Sequence, residues 1–159
     1  MHMTALFGGL AVIGAVLAGL ITHVSPQPTT RIKVLIDFWI QREENGGMMP
    51  NGSLVVITPT EIQYERYGSE DTKERWQATP TPAEIEKLYQ ALETKQFATI
   101  QTYTEKVYDR GGITISYMAN EQTITKSDSG QSFVKKGEST TRFYAIDDII
   151  MDIVAKHAK

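Results

Sequence analysis

"TPTPAEIEKLYQALETKQF", residues 79–97, is the stretch on which the reading of the fold turns. Thr81 stands where an N-cap belongs, Pro82 follows at the first helical position, and Glu84 comes three residues after the threonine. A threonine hydroxyl accepts the otherwise orphaned N–H of the third helical residue, and a glutamate at that residue reaches back to the cap N–H. The pair therefore predicts a capping box and a sharp helix start. Ile85, Leu88, Tyr89 and Leu92 recur at i, i+3, i+4 and i+7, the spacing of one apolar helix face. That face needs a sheet to lie on, and Phe97 and Ile100 are placed to plug the edge where the chain leaves the helix.

On the N-terminal side, "RIKVLIDFWI", residues 31–40, alternates cleanly. Ile32, Val34, Ile36, Phe38 and Ile40 share one face, and Arg31, Lys33, Leu35, Asp37 and Trp39 share the other, the pattern of a half-buried strand. "QREENGGMMPNGS", residues 41–53, reads as turn and loop, marked by Asn45-Gly46-Gly47 and Pro50-Asn51-Gly52. "SLVVIT" and "EIQYERY" supply two more strands separated by Pro59, and "GSEDTKER" is a charged turn leading to Trp76.

Beyond the helix, "TYTEKVY", "GITISYM" and "QTITKS" read as strands, with turns at Gly111-Gly112 and Ala119-Asn120-Glu121. "DSGQSFVKKGES", residues 128–139, reads as a flexible loop. A second helix closes the chain: Phe143, Ile146, Ile150, Ile153 and Val154 form its apolar stripe, with Asp147, Asp148 and Asp152 outside it. Strand runs broken by two amphipathic helices predict an α+β fold, a mainly antiparallel sheet of about five or six strands with both helices on one face. This order of elements resembles small bacterial envelope domains, many of them lipoproteins or anchored proteins of unknown function. "PTPAEIEKLYQALETKQF" and "KVYDRGGITISY" carry the resemblance, which spans residues 31–157. It implies the same α+β fold, and some similar folds act as protease inhibitors; it transfers no site residues.

Ahead of this domain lies an uncharged run over residues 3–22, long enough to cross a hydrocarbon core of roughly 30 Å. "HVSPQPTT", residues 23–30, follows as a linker whose two prolines end a helix, and residues 31–159 form the soluble domain. A cleaved secretion signal is the competing reading, because Val16 and Ala18 suit the −3 and −1 positions of a peptidase site. Against it, "MHM" brings no Lys or Arg, the apolar run continues past that point, and Leu20 stands where a lipobox would carry its cysteine. Thr4, Gly8, Ala11, Ala15, Ala18 and Thr22 fall in a 4-3-4-3-4 spacing, while Leu6, Leu10, Ile13, Leu17 and Leu20 line the opposite side. Lipid tails do not distinguish such faces, but a partner helix does, since small residues let backbones approach. The pattern favours a retained anchor, or uncleaved signal anchor, with the small stripe as its helix-packing interface.

Orientation cues conflict. Arg31, Lys33 and Arg42 follow the segment, which by the positive-inside rule favours a cytoplasmic domain. A cysteine-free surface rich in Thr, Gln and Tyr looks extracytoplasmic, and the periplasmic side is the expected one.

Chemistry is sparse. A net charge of −3 and a pI near 5.6 exclude the basic field of a nucleic-acid binder. The absence of cysteine excludes disulfides, a thiolate zinc site and a cysteine nucleophile. His2, His23 and His157 are scattered, so no metal site is expected. Asp147, Asp148 and Asp152 fit a solvated helix face, and "SDSGQS" has neither a G-x-S-x-G elbow nor a nearby histidine base. Leu35 and Trp39 would form an apolar partner surface on the sheet face the helices leave open, a reading balanced against burial under a loop.

No catalytic, cofactor-binding or metal residue is therefore expected. The expected function is that of a non-enzymatic, single-pass membrane-anchored accessory or structural subunit. Its partners would be other integral membrane proteins of a complex and membrane lipid, with no nucleic acid. The alternative is an exported binding module, inhibitor-like, with a cleaved N-terminal signal; an enzyme with an unrecognised site comes third.

Overall fold

In the computed structural model, residues 37–68, 73–107 and 109–158 are described. The expected membrane helix over 3–22 with its small-residue stripe, the linker over 23–30, and Leu35 lie outside these residues. The chain runs β1 (Trp39–Gly46), β2 (Met49–Ile57), β3 (Ile62–Tyr67), β4 (Glu74–Ala78), helix α1 (Pro82–Thr94) and a 3-10 turn (Phe97–Thr99). It continues through β5 (Thr102–Thr104), β6 (Gly112–Ala119), β7 (Gln122–Asp128) and β8 (Ser132–Val134) to helix α2 (Glu138–His157). Six strands form one antiparallel sheet in the order β4-β3-β2-β1-β6-β7, and β5 pairs with β8 in a second, two-stranded sheet. The protein has an α+β fold, as the run of elements predicts.

Alternation along β1 decides which side is covered. Ile40 stands opposite Ile57 on β2 and Tyr117 on β6, and two residues on Arg42 stands between Val55 and Ile115. Phe38, Ile40, Val55, Ile57, Ile62 and Ile115 are buried from this face against Ile85, Leu88 and Leu92 of α1 and Phe143, Ile146, Ile150, Ile153 and Val154 of α2. Both helical stripes are thus the predicted ones, with Tyr89 half-buried at the margin of the first, its ring 6.1 Å from Phe38.

The capping box is present in both directions. The Glu84 N–H donates to Thr81 Oγ1 at 3.3 Å, and the Thr81 N–H donates to Glu84 Oε2 at 2.8 Å. His157, at the far end of α2, lies 3.2 Å from the same carboxylate and so ties the two helices. Phe97 and Ile100 are buried where the chain leaves α1, as their placement predicts.

Three expectations are corrected. Residues 41–53 are not a loop: pairing continues from Ile40↔Ile57 through Asn45↔Gly52, and only Gly47 and Met48 separate the strands. The Gly46-Gly47 pair instead serves a register shift and a left-handed turn, with Gly47 at φ +67°, where a Cβ would meet the Asp109 carbonyl oxygen at 2.7 Å. Residues 128–139 are likewise no flexible loop. They contain β8, which takes Thr102–Thr104 as its partner, and Asp128, Ser129 and Val134 are buried. The strand expected over "TYTEKVY" shrinks to three residues because β8 offers it only three partners.

Candidate functional site

The densest polar arrangement lies at the β1–β2 hairpin end. Because Arg42 follows Ile40 on the inward face, its guanidinium points toward α2, and the residue is only 4% exposed. Nε donates to Asp147 Oδ1 at 2.5 Å, while Nη1 donates to Glu44 Oε2 at 3.1 Å and to Ser53 Oγ at 3.0 Å. Ser53 Oγ donates in turn to Glu44 at 3.2 Å. Burial alone would favour loss of the arginine proton, but the Asp147 and Glu44 carboxylates outweigh it and raise the pKa above the ordinary value.

Asp147 corrects the expectation of a solvated helix face, since it is buried. It stands four residues after Phe143 and three before Ile150, and those intervals return it to the sheet-facing side. Asp148 and Asp152 are exposed, as the same periodicity predicts.

Beside this pair opens a cleft of about 340 Å³, lined by Glu44, Asn45, Asn51, Ser53, Arg66 and Met151 among others. Its wall depends on close approach of β1 and β3 at Gly52, where a Cβ would stand 2.1 Å from the Glu44 carbonyl oxygen and 2.6 Å from the Tyr67 hydroxyl. That hydroxyl donates to the Glu44 carbonyl at 2.9 Å, closing the hairpin base. Beyond the cleft the hairpin tip presents Met48 and Met49, which are 81% and 64% exposed. The sequence reading missed this site; its signals were the inward parity of Arg42 and an apolar pair at the hairpin end.

A second polar cluster adjoins the first through Asn45, whose Nδ2 donates to Ser129 Oγ at 2.8 Å. The Asp128 carboxylate accepts from the Tyr144 hydroxyl at 2.5 Å, from Arg110 Nη2 at 2.6 Å and from the Val134 N–H at 3.2 Å. Arg110 also lies over the Phe133 ring, 4.1 Å from its centroid, and Phe133 stacks on Tyr103 at 5.3 Å. Burial opposes ionisation of Asp128, yet Tyr144, Arg110 and the Val134 N–H together hold its pKa below the ordinary aspartate value. Burial and the same hydrogen bond push the Tyr144 hydroxyl up to about 12.

A carboxyl with a folded-state pKa below its unfolded one stabilises the protein above the unfolded value, and that stability disappears as pH falls through the folded one. Asp128 is therefore expected to stabilise the fold at neutral pH and to lose its contribution below about pH 4. In Asp128→Asn, the stability difference between pH 7 and pH 2, read by urea unfolding, should shrink. An unchanged difference would show that the carboxylate gains nothing from these partners.

Of the expected partner surface, Trp39 lies half-buried on the open face, in register with Met118. Leu54 and Val56, also half-buried, share that face, because they pair with Glu43 and Gln41. Trp39 is at the start of β1 and the cleft at its end, so the fold does not bring them together. Among the described residues no group of three or more His, Asp or Glu is arranged to hold a metal ion, and no helix is long and apolar enough to cross a membrane. The carboxylates of both clusters are engaged by donors from their own neighbours, so the arrangement fixes the shape of this end of the domain. Compared with known proteins, the chain matches no family model and no curated sequence.

Proposed function

We propose that this protein is a single-pass, membrane-anchored accessory subunit of a larger membrane protein complex, without catalysis of its own. Residues 3–22 would form the anchor, and the stripe Thr4, Gly8, Ala11, Ala15, Ala18 and Thr22 would pack on a helix of another integral membrane protein. The α+β domain, on the extracytoplasmic side, would brace the assembly through protein contacts. The observation that carries the reading is the 4-3-4-3-4 spacing of small residues in an uncharged run of spanning length. The domain is consistent with it: its buried charges are spent on internal pairing, and its apolar side chains stand outward at the hairpin tip.

Replacing Ala11 and Ala15 by leucine tests the packing role. Membrane insertion should persist, because leucine is at least as apolar, while partners retained after extraction in mild detergent should fall about tenfold. Unchanged co-purification, or a chain that is monomeric in mild detergent before any substitution, would remove the assembly from the reading. A second reading, an exported binding module, is favoured by Val16 and Ala18 at signal-peptidase positions. A mature N-terminus near Gly19 would establish it at the expense of the anchor.

A further inference from the structure

We infer that the β1–β2 hairpin tip is a docking prong, with Met48 and Met49 seated in an apolar pocket rimmed by lysine or arginine on a neighbouring protein of the assembly. The inference rests on the membrane-anchored reading for its setting and on the domain for its surface. Met48 and Met49 are the most exposed of the large hydrophobic side chains among the described residues. Met48 is a turn residue and Met49 opens β2, and neither side chain packs on the core.

The tip is held in place. Gly47 packs on the backbone of Asp109 and Gly111, Tyr67 bonds the Glu44 carbonyl, and Asn45 bonds Ser129. A prong ordered before contact loses little conformational freedom on docking. Unbranched thioether side chains then adapt to an irregular cavity.

Charge selects the occupant. Residues 45–52 carry none, but Glu43 and Asp109 stand exposed around the tip, with Glu44 beside them paired to the buried Arg42, against Arg66 at the cleft rim. Glu43 and Glu44 pair with Leu54 and Ser53, which places both residues in the ladder just below the tip. An acidic collar is repelled by an anionic bilayer and attracted by a basic rim on a protein.

The test uses the full-length chain in its membrane, with a photoreactive amino acid at position 48 and mapping of the cross-linked peptide by mass spectrometry. The expected adduct is a protein segment of apolar residues flanked by Lys or Arg. Met48→Ser with Met49→Ser should lower retention of that protein by tenfold or more, the effect of uncovering two buried apolar side chains. Glu43→Lys, on the exposed collar, should weaken retention in the same direction and reduce its salt dependence. Adducts confined to lipid, adducts confined to a second copy of this chain, an adduct on an acidic surface, no adduct, or full retention by the double serine variant would each overturn the inference. Failure of the anchored reading looks different: a mature N-terminus near Gly19 with the tip adduct still formed.

Discussion

Asp147→Ala is expected to destabilise the fold by about 3 kcal/mol, more than its position on a charged stretch of helix suggests. Most carboxylates on an amphipathic helix are solvated, and their removal costs little. Asp147 instead accepts the Nε–H of Arg42, a guanidinium that is 4% exposed and stands between the buried Val55 and Ile115. Removing the partner leaves a desolvated cation with only the half-exposed Glu44 side chain and the Ser53 hydroxyl. The cost is that of an uncompensated buried charge rather than of one hydrogen bond.

The same reasoning fixes the sign of a second variant. Arg42→Met with Asp147→Leu removes both charges and fills the space with apolar groups, so it should regain most of the lost stability. Urea unfolding of the two variants and the parent measures both effects. A loss below about 0.5 kcal/mol for Asp147→Ala would mean that water reaches the pair, and the account of this end of the domain would fail.

Phe97→Ala is expected to cost about 4 kcal/mol, the range for deleting a fully buried aromatic ring. The residue is 0% exposed although it follows the helix and belongs to a three-residue 3-10 turn. Its ring lies 5.5 Å from Tyr117 on β6 and 6.4 Å from Phe143 on α2, so one side chain joins the sheet to the second helix. Truncation opens a cavity where the layers meet, and neighbours on β6 and α2 would have to move together to fill it. Phe97→Leu keeps most of the volume and should cost less than half as much. If alanine and leucine were equally mild in thermal and urea unfolding, the ring would not be the plug that its burial indicates.

The parts of the fold legible in the sequence are those written in local spacing. Thr81, Pro82 and Glu84 specify where α1 begins because capping is a matter of three consecutive residues. The stripes of both helices were legible for the same reason, as was the Asn120-Glu121 turn, where both residues take the positive φ of a tight hairpin. Gly46, Pro50, Asn51 and Gly52 misled because such residues signal turns whether or not they are absorbed into a ladder. Here Gly46 pairs with Met49, and Gly52 with both Asn45 and Tyr67, so β1 and β2 run through them and only Gly47 keeps the turn role its type signals. β8 was hidden by its three-residue length between polar neighbours, and its pairing with β5 lies some thirty residues away in sequence. The candidate site needed two facts at once, the inward parity of Arg42 and the inward phase of Asp147. Each was visible alone, but their meeting is a property of the packed layers.

The place of β1 in the sheet has a mechanical consequence. It is the first described strand in sequence and an interior strand in space, with seven residue pairs to β2 and seven to β6. Traction on the chain ahead of Asp37, directed along that strand, must shear both ladders together. The same pull on an outer strand such as β4 or β7 would meet a single ladder. A tether attached here would therefore transmit tension into the strongest direction of the domain, and the domain would yield only when both rows of hydrogen bonds gave way at once.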